Sequence, residues 1–286
     1  MTRAAAAALI GLTVLLSSVA AQSKYPVRRE ETTSRTLLFG AGVERLLEVS
    51  TISGSIRIAG HDDDAVDVVV RRVVRAETEN DAAAGEAVGL EIGEADGALR
   101  LRGHVELQPG CDWETITRRR TRPRYQVSFD FDVRVPRNTR LRLCTVNGGD
   151  VHVAGTSGDF EIDNVNGAIT LTGISGSGRA VTVNGAVSAA FAANPKTAST
   201  FKSVNGDLDV VFQRNLSANL LMKTFNGGLF TDFDVTPLPA AVPVAERRNG
   251  MTVYRGNRFT GYRVGRGGPE VTLDAFNGDI RVVSSQ

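Results

Sequence analysis

Phe201-Lys202-Ser203-Val204-Asn205-Gly206-Asp207-Leu208-Asp209-Val210 is the stretch whose reading decides the fold. An apolar residue stands four before the Asn, another immediately before it and a third three after it. The Asn-Gly step recurs in phase at Asn147-Gly148, Asn166-Gly167, Asn184-Gly185, Asn205-Gly206, Asn226-Gly227 and Asn277-Gly278, with a degenerate early copy at Ser53-Gly54. Neighbouring Asn positions lie 19, 18, 21 and 21 residues apart, and then 51. A fixed period near 20 marks a stacked repeat rather than a set of unrelated hairpins.

Within a strand, inward residues fall an even number apart. The apolar positions at minus four and minus one are an odd number apart. The chain is therefore expected to bulge or turn a corner just before Asn-Gly, where Asn and Gly supply a left-handed backbone. A second turn signal follows nine or ten residues later, as in Ser157-Gly158, Ser175-Gly176 and Asn194-Pro195. Each unit reads as strand, corner, strand, corner. One unit cannot bury its apolar face, whereas stacking units at about 4.8 Å per layer builds a continuous core. The fold class read from this is all-β: a parallel β-solenoid with repeats of about 20 residues and Val/Phe-Asn-Gly corners.

Working outward, residues 1–21 read as a secretory signal peptide. Arg3 gives a charged start, Ala4–Leu16 an apolar run, and Val19-Ala20-Ala21 a small-residue cleavage site. The location expected is exported: periplasmic, or extracellular at the cell surface. The run is short for a membrane span, so no transmembrane segment is expected in the mature chain. Residues 22–34 read as a flexible lead-in and 35–135 as an irregular β region continuous with the stack. In that region Ala76–Ala87 reads as one short helix with Asp81 as its cap. Residues 136–286 read as the regular solenoid. The 51-residue gap is one period plus an excursion inserted at 236–268, in which Met251–Tyr254 and Phe259–Val264 are expected to pair as a hairpin. The final copy, Val271–Val283, is expected to close the stack.

The pattern resembles the bacterial "putative adhesin" family, exported β-strand-repeat proteins otherwise labelled a domain of unknown function. Ser53-Gly54-Ser55-Ile56-Arg57-Ile58, Phe131-Asp132-Val133-Arg134-Val135-Pro136, the Val-Asn-Gly copies, Gly227–Phe233 and Phe276-Asn277-Gly278-Asp279-Ile280-Arg281 carry the resemblance, which covers residues 35–285. It implies a β-solenoid at or outside the bacterial envelope, and it brings no catalytic residues.

A formal charge of +1 gives no global field for nucleic acid, so no nucleic-acid partner is expected. Cys111 and Cys144 are the only cysteines, and an even count in an exported chain points to a disulfide. His61-Asp62-Asp63-Asp64 reads as a solvated turn, with a weak calcium site as the alternative. Arg118–Arg124 and the excursion are the densest cationic runs. Arg247, Arg248, Tyr254, Arg255, Arg258 and Arg263 form the candidate ligand-binding set, against the plainer reading of solvated loop charge. His61, His104 and His152 share no ligand spacing, and Asp207, Asp209 and Asp279 read as surface residues. No cofactor is expected. The function read from the sequence is a non-enzymatic binding or scaffold protein of the cell envelope whose partner is a polysaccharide, lipid or protein. The alternative is a polysaccharide lyase or hydrolase on a parallel β-helix.

Overall fold

A computed structural model describes residues 24–40, 42, 44–95, 97–104, 123–239, 244–248, 251–255 and 259–286. The leader read at 1–21 lies outside these residues. So do Cys111, Arg258 and all of the Arg118–Arg124 run except Arg124 and Pro123.

In chain order the elements begin with β1 (Val27–Leu38), β2 (Leu46–Ser53), β3 (Ile56–His61), β4 (Ala65–Ala76), α1 (Glu79–Glu86), β5 (Leu90–Ala95), β6 (Ala98–Gly103) and β7 (Tyr125–Pro136). The repeats follow as β8 (Arg140–Asn147), β9 (Val151–Ala154), β10 (Phe160–Asn166), β11 (Ile169–Ile174), β12 (Gly178–Asn184), β13 (Val187–Phe191), β14 (Ser199–Asn205), β15 (Leu208–Phe212), β16 (Ala218–Asn226) and β17 (Leu229–Thr231). The excursion holds β18 (Val235–Pro237), β19 (Val244–Arg248), β20 (Met251–Arg255) and β21 (Thr260–Val264). The chain then ends in β22 (Glu270–Asn277) and β23 (Ile280–Ser284).

The chain alternates between two large, mostly parallel sheets. One runs β1-β4-β7-β3-β9-β11-β13-β15-β23-β17, and the other β18-β21-β16-β22-β14-β12-β10-β8-β2-β6-β5. The strand that ends in each Asn joins the second sheet, and the strand after each Gly joins the first. Register is kept from layer to layer: Ser53 opposes Asn147, which opposes Asn166, then Asn184, Asn205, Asn277 and Asn226 in turn. One apolar core lies between the sheets. Phe129, Phe131, Phe201, Phe212, Leu208 and Ile280 are among its fully buried members. Each such side chain contributes about 1.5–3 kcal/mol by leaving water, so the core is the main stabilising term.

The layer order departs from the sequence order. The final copy does not close the stack. β22 lies between β14 and β16, and β23 between β15 and β17. The 226 copy is outermost instead. The burial of the two copies gives the reason. The first strands are alike, with Leu220 and Met222 as buried as Val271 and Leu273, but in the second strands Ile280 and Val282 of β23 are fully buried. β17 is only three residues long, with Phe230 and Thr231 exposed, and suits an end.

The excursion also pairs differently from expectation. β20 joins β19 in a separate two-stranded sheet, while β21 runs antiparallel to β16 and β18. β21 thereby covers the backbone edge of β16 over residues 218–222, an edge that would otherwise be open. At the other end β1, β4 and β7 pair antiparallel. The helix cap is Thr78 rather than Asp81. The Asp81 N–H donates to Thr78 Oγ1, and the Thr78 hydroxyl donates in turn to Asp81 Oδ2. Threonine at the cap with an acidic residue three later satisfies donors that α1 leaves open.

Candidate binding surface

The corner is built from three columns of side chains. The first is polar and faces inward. The strands alternate regularly, so the residues at minus four and minus two both point to the core. At minus two stand Thr51, Thr145, Asn164, Thr182, Ser203 and Ala275, all buried. The side chains of Thr145, Asn164, Thr182 and Ser203, and of the half-buried Thr224 in the 226 copy, donate to the carbonyl oxygen of a corner glycine one layer away. The bonds are Thr145 to Gly54 at 2.9 Å, Asn164 to Gly149 at 2.9 Å, Thr182 to Gly167 at 2.9 Å, Ser203 to Gly185 at 2.8 Å and Thr224 to Gly278 at 2.8 Å. Carbonyls in a turn inside a tight stack need partners, and this column supplies them. The apolar residue at minus one therefore does not share the inward face. Pairing runs through minus two, omits minus one and resumes at the Asn, which locates the corner.

The second column is glycine, held by close approach. A Cβ on Gly167, Gly185, Gly206, Gly278 or Gly227 would sit 2.1–2.3 Å from the glycine carbonyl oxygen of the next layer. In the first full repeat Gly149, not Gly148, occupies this column.

The third column is the asparagines, all exposed. None takes a left-handed backbone; among the described non-glycine residues only His104 does, at φ 64°. Their side chains form an amide ladder instead. Asn166 donates to Asn147 at 3.2 Å, Asn184 to Asn166 at 2.8 Å, Asn205 to Asn184 at 2.8 Å, Asn277 to Asn205 at 2.8 Å and Asn226 to Asn277 at 2.7 Å.

The minus-one side chains run beside this ladder. Val146 and Val165 are buried, while Val183 and Val204 are half-buried. At the last two layers the column becomes aromatic. Phe276 and Phe225 are 50% and 64% exposed, and their rings stack at 5.0 Å with an interplanar angle of 6°. On the other flank Phe230 is 51% exposed, with the Arg281 guanidinium 5.8 Å from its ring centre. Arg281 also pairs with Asp207, Asp209 and Asp279 at 3.4, 3.0 and 2.9 Å. The hydrogen bonds it donates to Asp209 and Asp207 and the charge of these carboxylates raise the guanidinium pKa above its ordinary value. Asp207 and Asp279 do more than face water. Asp207 accepts the N–H of Asp279 at 2.8 Å, and Asp279 accepts that of Gly228 at 2.9 Å. The end of the stack is thus an amide ridge flanked on both sides by exposed phenylalanine.

The residues singled out in the sequence are dispersed. Arg247 and Arg248 lie on β19, opposite Thr252 and Met251, and Arg247 is exposed. Tyr254 and Arg255 lie on β20 at the far end of that pair. Arg263 is exposed on β21, opposite Asn219 and Thr236. In the 61–64 turn His61 is buried, Asp62 pairs with Arg137 at 2.7 Å and Asp64 with Arg45 at 2.6 Å. The Arg137 hydrogen bond and charge hold the Asp62 carboxyl below its ordinary pKa. Among the described residues no group of three His, Cys, Asp or Glu side chains is placed to hold a metal ion. Cys144 is buried on β8, and no cysteine among the described residues is free. No helix among the described residues is long and apolar enough to cross a membrane.

No protein-family model matches the chain, and no curated protein sequence matches it. Solved structures show a weak likeness. A "putative cell adhesion protein" from Clostridium sporogenes ATCC 15579 is 10% identical with a TM-score of 0.39, covering 90% of this chain and 100% of its own. A "putative adhesin" from Bacteroides fragilis NCTC 9343 is 12% identical with a TM-score of 0.38, covering 89% and 97%. A "putative lipid binding protein" from Parabacteroides distasonis ATCC 8503 is 10% identical with a TM-score of 0.26, covering 89% and 97%.

Proposed function

We propose that this chain is an exported, non-enzymatic parallel β-solenoid that binds or scaffolds at the bacterial cell envelope, as the "putative adhesin" family it resembles would imply. One observation carries the binding role: three exposed phenylalanines flank an exposed amide ladder on a rigid, in-register stack. The exposed halves of the stacked Phe225 and Phe276 side chains amount to on the order of 200 Å² of contiguous ring surface, and Phe230 adds a second exposed ring. The solenoid reading is supported by the strict alternation of repeats between two sheets and by the parallel register of every Asn layer. Export is supported by the charge, apolar run and small-residue site within residues 1–21. A Cys111–Cys144 disulfide belongs to the same reading.

A second binding locus is favoured by the exposure of Arg247 and Arg263 in the excursion, which would suit anionic groups. No observation in the structure favours a polysaccharide lyase or hydrolase. The test has two parts. Fractionation of the producing cell should place the chain outside the cytoplasm, and the purified chain should bind isolated envelope fractions. A cytoplasmic chain, or one that ignores every fraction, would defeat the proposal.

A further inference from the structure

We infer that the aromatic-flanked ridge takes an uncharged, extended polysaccharide, running along the amide ladder and ending against Phe225 and Phe276. This rests on the binding reading above and names its ligand.

The ladder is exposed, so its amides have hydrogen-bonding capacity left over. A side-chain amide offers two N–H donors and two lone pairs. Asn184, Asn205 and Asn277 each use one donor and one acceptor within the ladder. One N–H and one lone pair remain at each of these three layers, repeating at about the 4.8 Å spacing of strands, whereas Asn166 also donates to the Val146 carbonyl at 3.2 Å. A row of alternating neutral donors and acceptors at fixed spacing matches a ribbon of sugar hydroxyls. The rings beside it supply the apolar surface that the C–H faces of a sugar cover. Among the described strands, β21 pairs with β16 only over residues 218–222 and stops short of Phe225.

Charge argues against an anionic polymer or a lipid headgroup at this place. Arg281 is taken up by three carboxylates. Lys202 and Lys223 both pair with Asp274 at 3.2 and 3.0 Å. Around Arg281 the carboxylates outnumber the cation three to one, which disfavours a phosphate or uronate there. A bilayer would demand dehydration of the amide row and of Asp232, which accepts from Ser284 at 2.8 Å at the same end.

The experiment is calorimetric titration of the purified full chain with cellohexaose and chitohexaose at low and high salt. Polygalacturonate and phosphatidylglycerol vesicles serve as contrasts. Binding to a neutral hexasaccharide should survive high salt. Phe225→Ala should weaken it about tenfold, the scale of one lost aromatic contact, with melting unchanged because the ring is exposed. Asn226→Ala should weaken it as well, and Lys196→Ala, at an exposed position after β13, should not. Failure of both hexasaccharides, binding untouched by Phe225→Ala, or Phe225-dependent binding to vesicles alone would each overturn the inference. If both sugars fail while envelope fractions still bind, the ligand class falls and the binding reading stands.

Discussion

Replacing Gly185 by alanine tests whether the corner glycines are there for space. Its backbone is not in the left-handed region, so the substitution isolates close approach from conformation. The new methyl would lie 2.2 Å from the Gly167 oxygen, where ordinary contact begins at 3.4 Å. The layers must part locally by roughly the difference, 3.4 minus 2.2, about 1.2 Å. Three bonds bridge these layers at the corner: Gly167 N–H to the Asn184 carbonyl at 2.9 Å, Thr182 Oγ1 to Gly167 at 2.9 Å and Asn184 to Asn166 at 2.8 Å. At about 1 kcal/mol each, their loss gives about 3 kcal/mol, and residual overpacking adds about 1 kcal/mol or more. Gly148→Ala is the matched control. No atom lies within 4 Å of its Cβ position, but its φ is +67°. Only backbone strain is added there, about 1–2 kcal/mol. Urea denaturation of both variants reads the difference. A Gly185→Ala cost equal to or below that of Gly148→Ala would refute the close-approach account of the glycine column.

Thr182→Val keeps the inward shape but leaves the Gly167 carbonyl without its donor, so a loss of about 1–2 kcal/mol is expected in the same assay; a neutral result would remove the inward polar column from the account. At Asp130, burial opposes ionisation, but the Ser55 N–H and hydroxyl, both at 2.9 Å, and Arg71 at 2.8 Å outweigh it and hold the pKa below the ordinary value. The folded carboxyl thus binds protons less readily than the unfolded one. Its contribution is present above the unfolded value of about 3.9 and is lost as pH falls through the depressed folded value. Asp130→Asn should flatten that acid limb of the stability curve, and an unchanged limb would show that other carboxylates dominate it. For the proposed Cys111–Cys144 bond, alkylation without reductant should add no mass and alkylation after reduction should add two labels. Two labels without reductant would disprove the bond, along with the roughly 3–4 kcal/mol that closing such a loop contributes.

The all-β class and the phase of the repeat were readable because Asn-Gly marks each corner in a period near 20. The same signal misled on side-chain roles. Counting only apolar residues gave minus four and minus one. The inward partner of minus four is the hydroxyl or amide at minus two, in Thr145, Asn164, Thr182, Ser203 and Thr224. A column of small polar residues in phase with the Asn was the available signal. The layer order could not be read, because period alone does not say which face of β14 the last copy joins. What distinguishes the copies is the second strand, which is short and largely exposed in β17 and buried in β23. In the candidate site, Phe225 and Phe276 were visible as departures from valine at minus one. The odd spacing of minus four and minus one does not by itself say whether such a ring faces in or out. The arginines of the excursion drew attention through charge density, yet Arg247 and Arg263 fall on different sheets.

The measurement that decides most directly between ridge and excursion is binding of the purified full chain to isolated envelope at low and high salt, with and without paired replacement of Phe225 and Phe276 by alanine. The account predicts binding that persists at high salt and disappears in the double variant while the melting curve stays in place. Binding that vanishes with salt in the native chain and ignores the double variant would contradict it, and would move recognition to the arginines of the excursion.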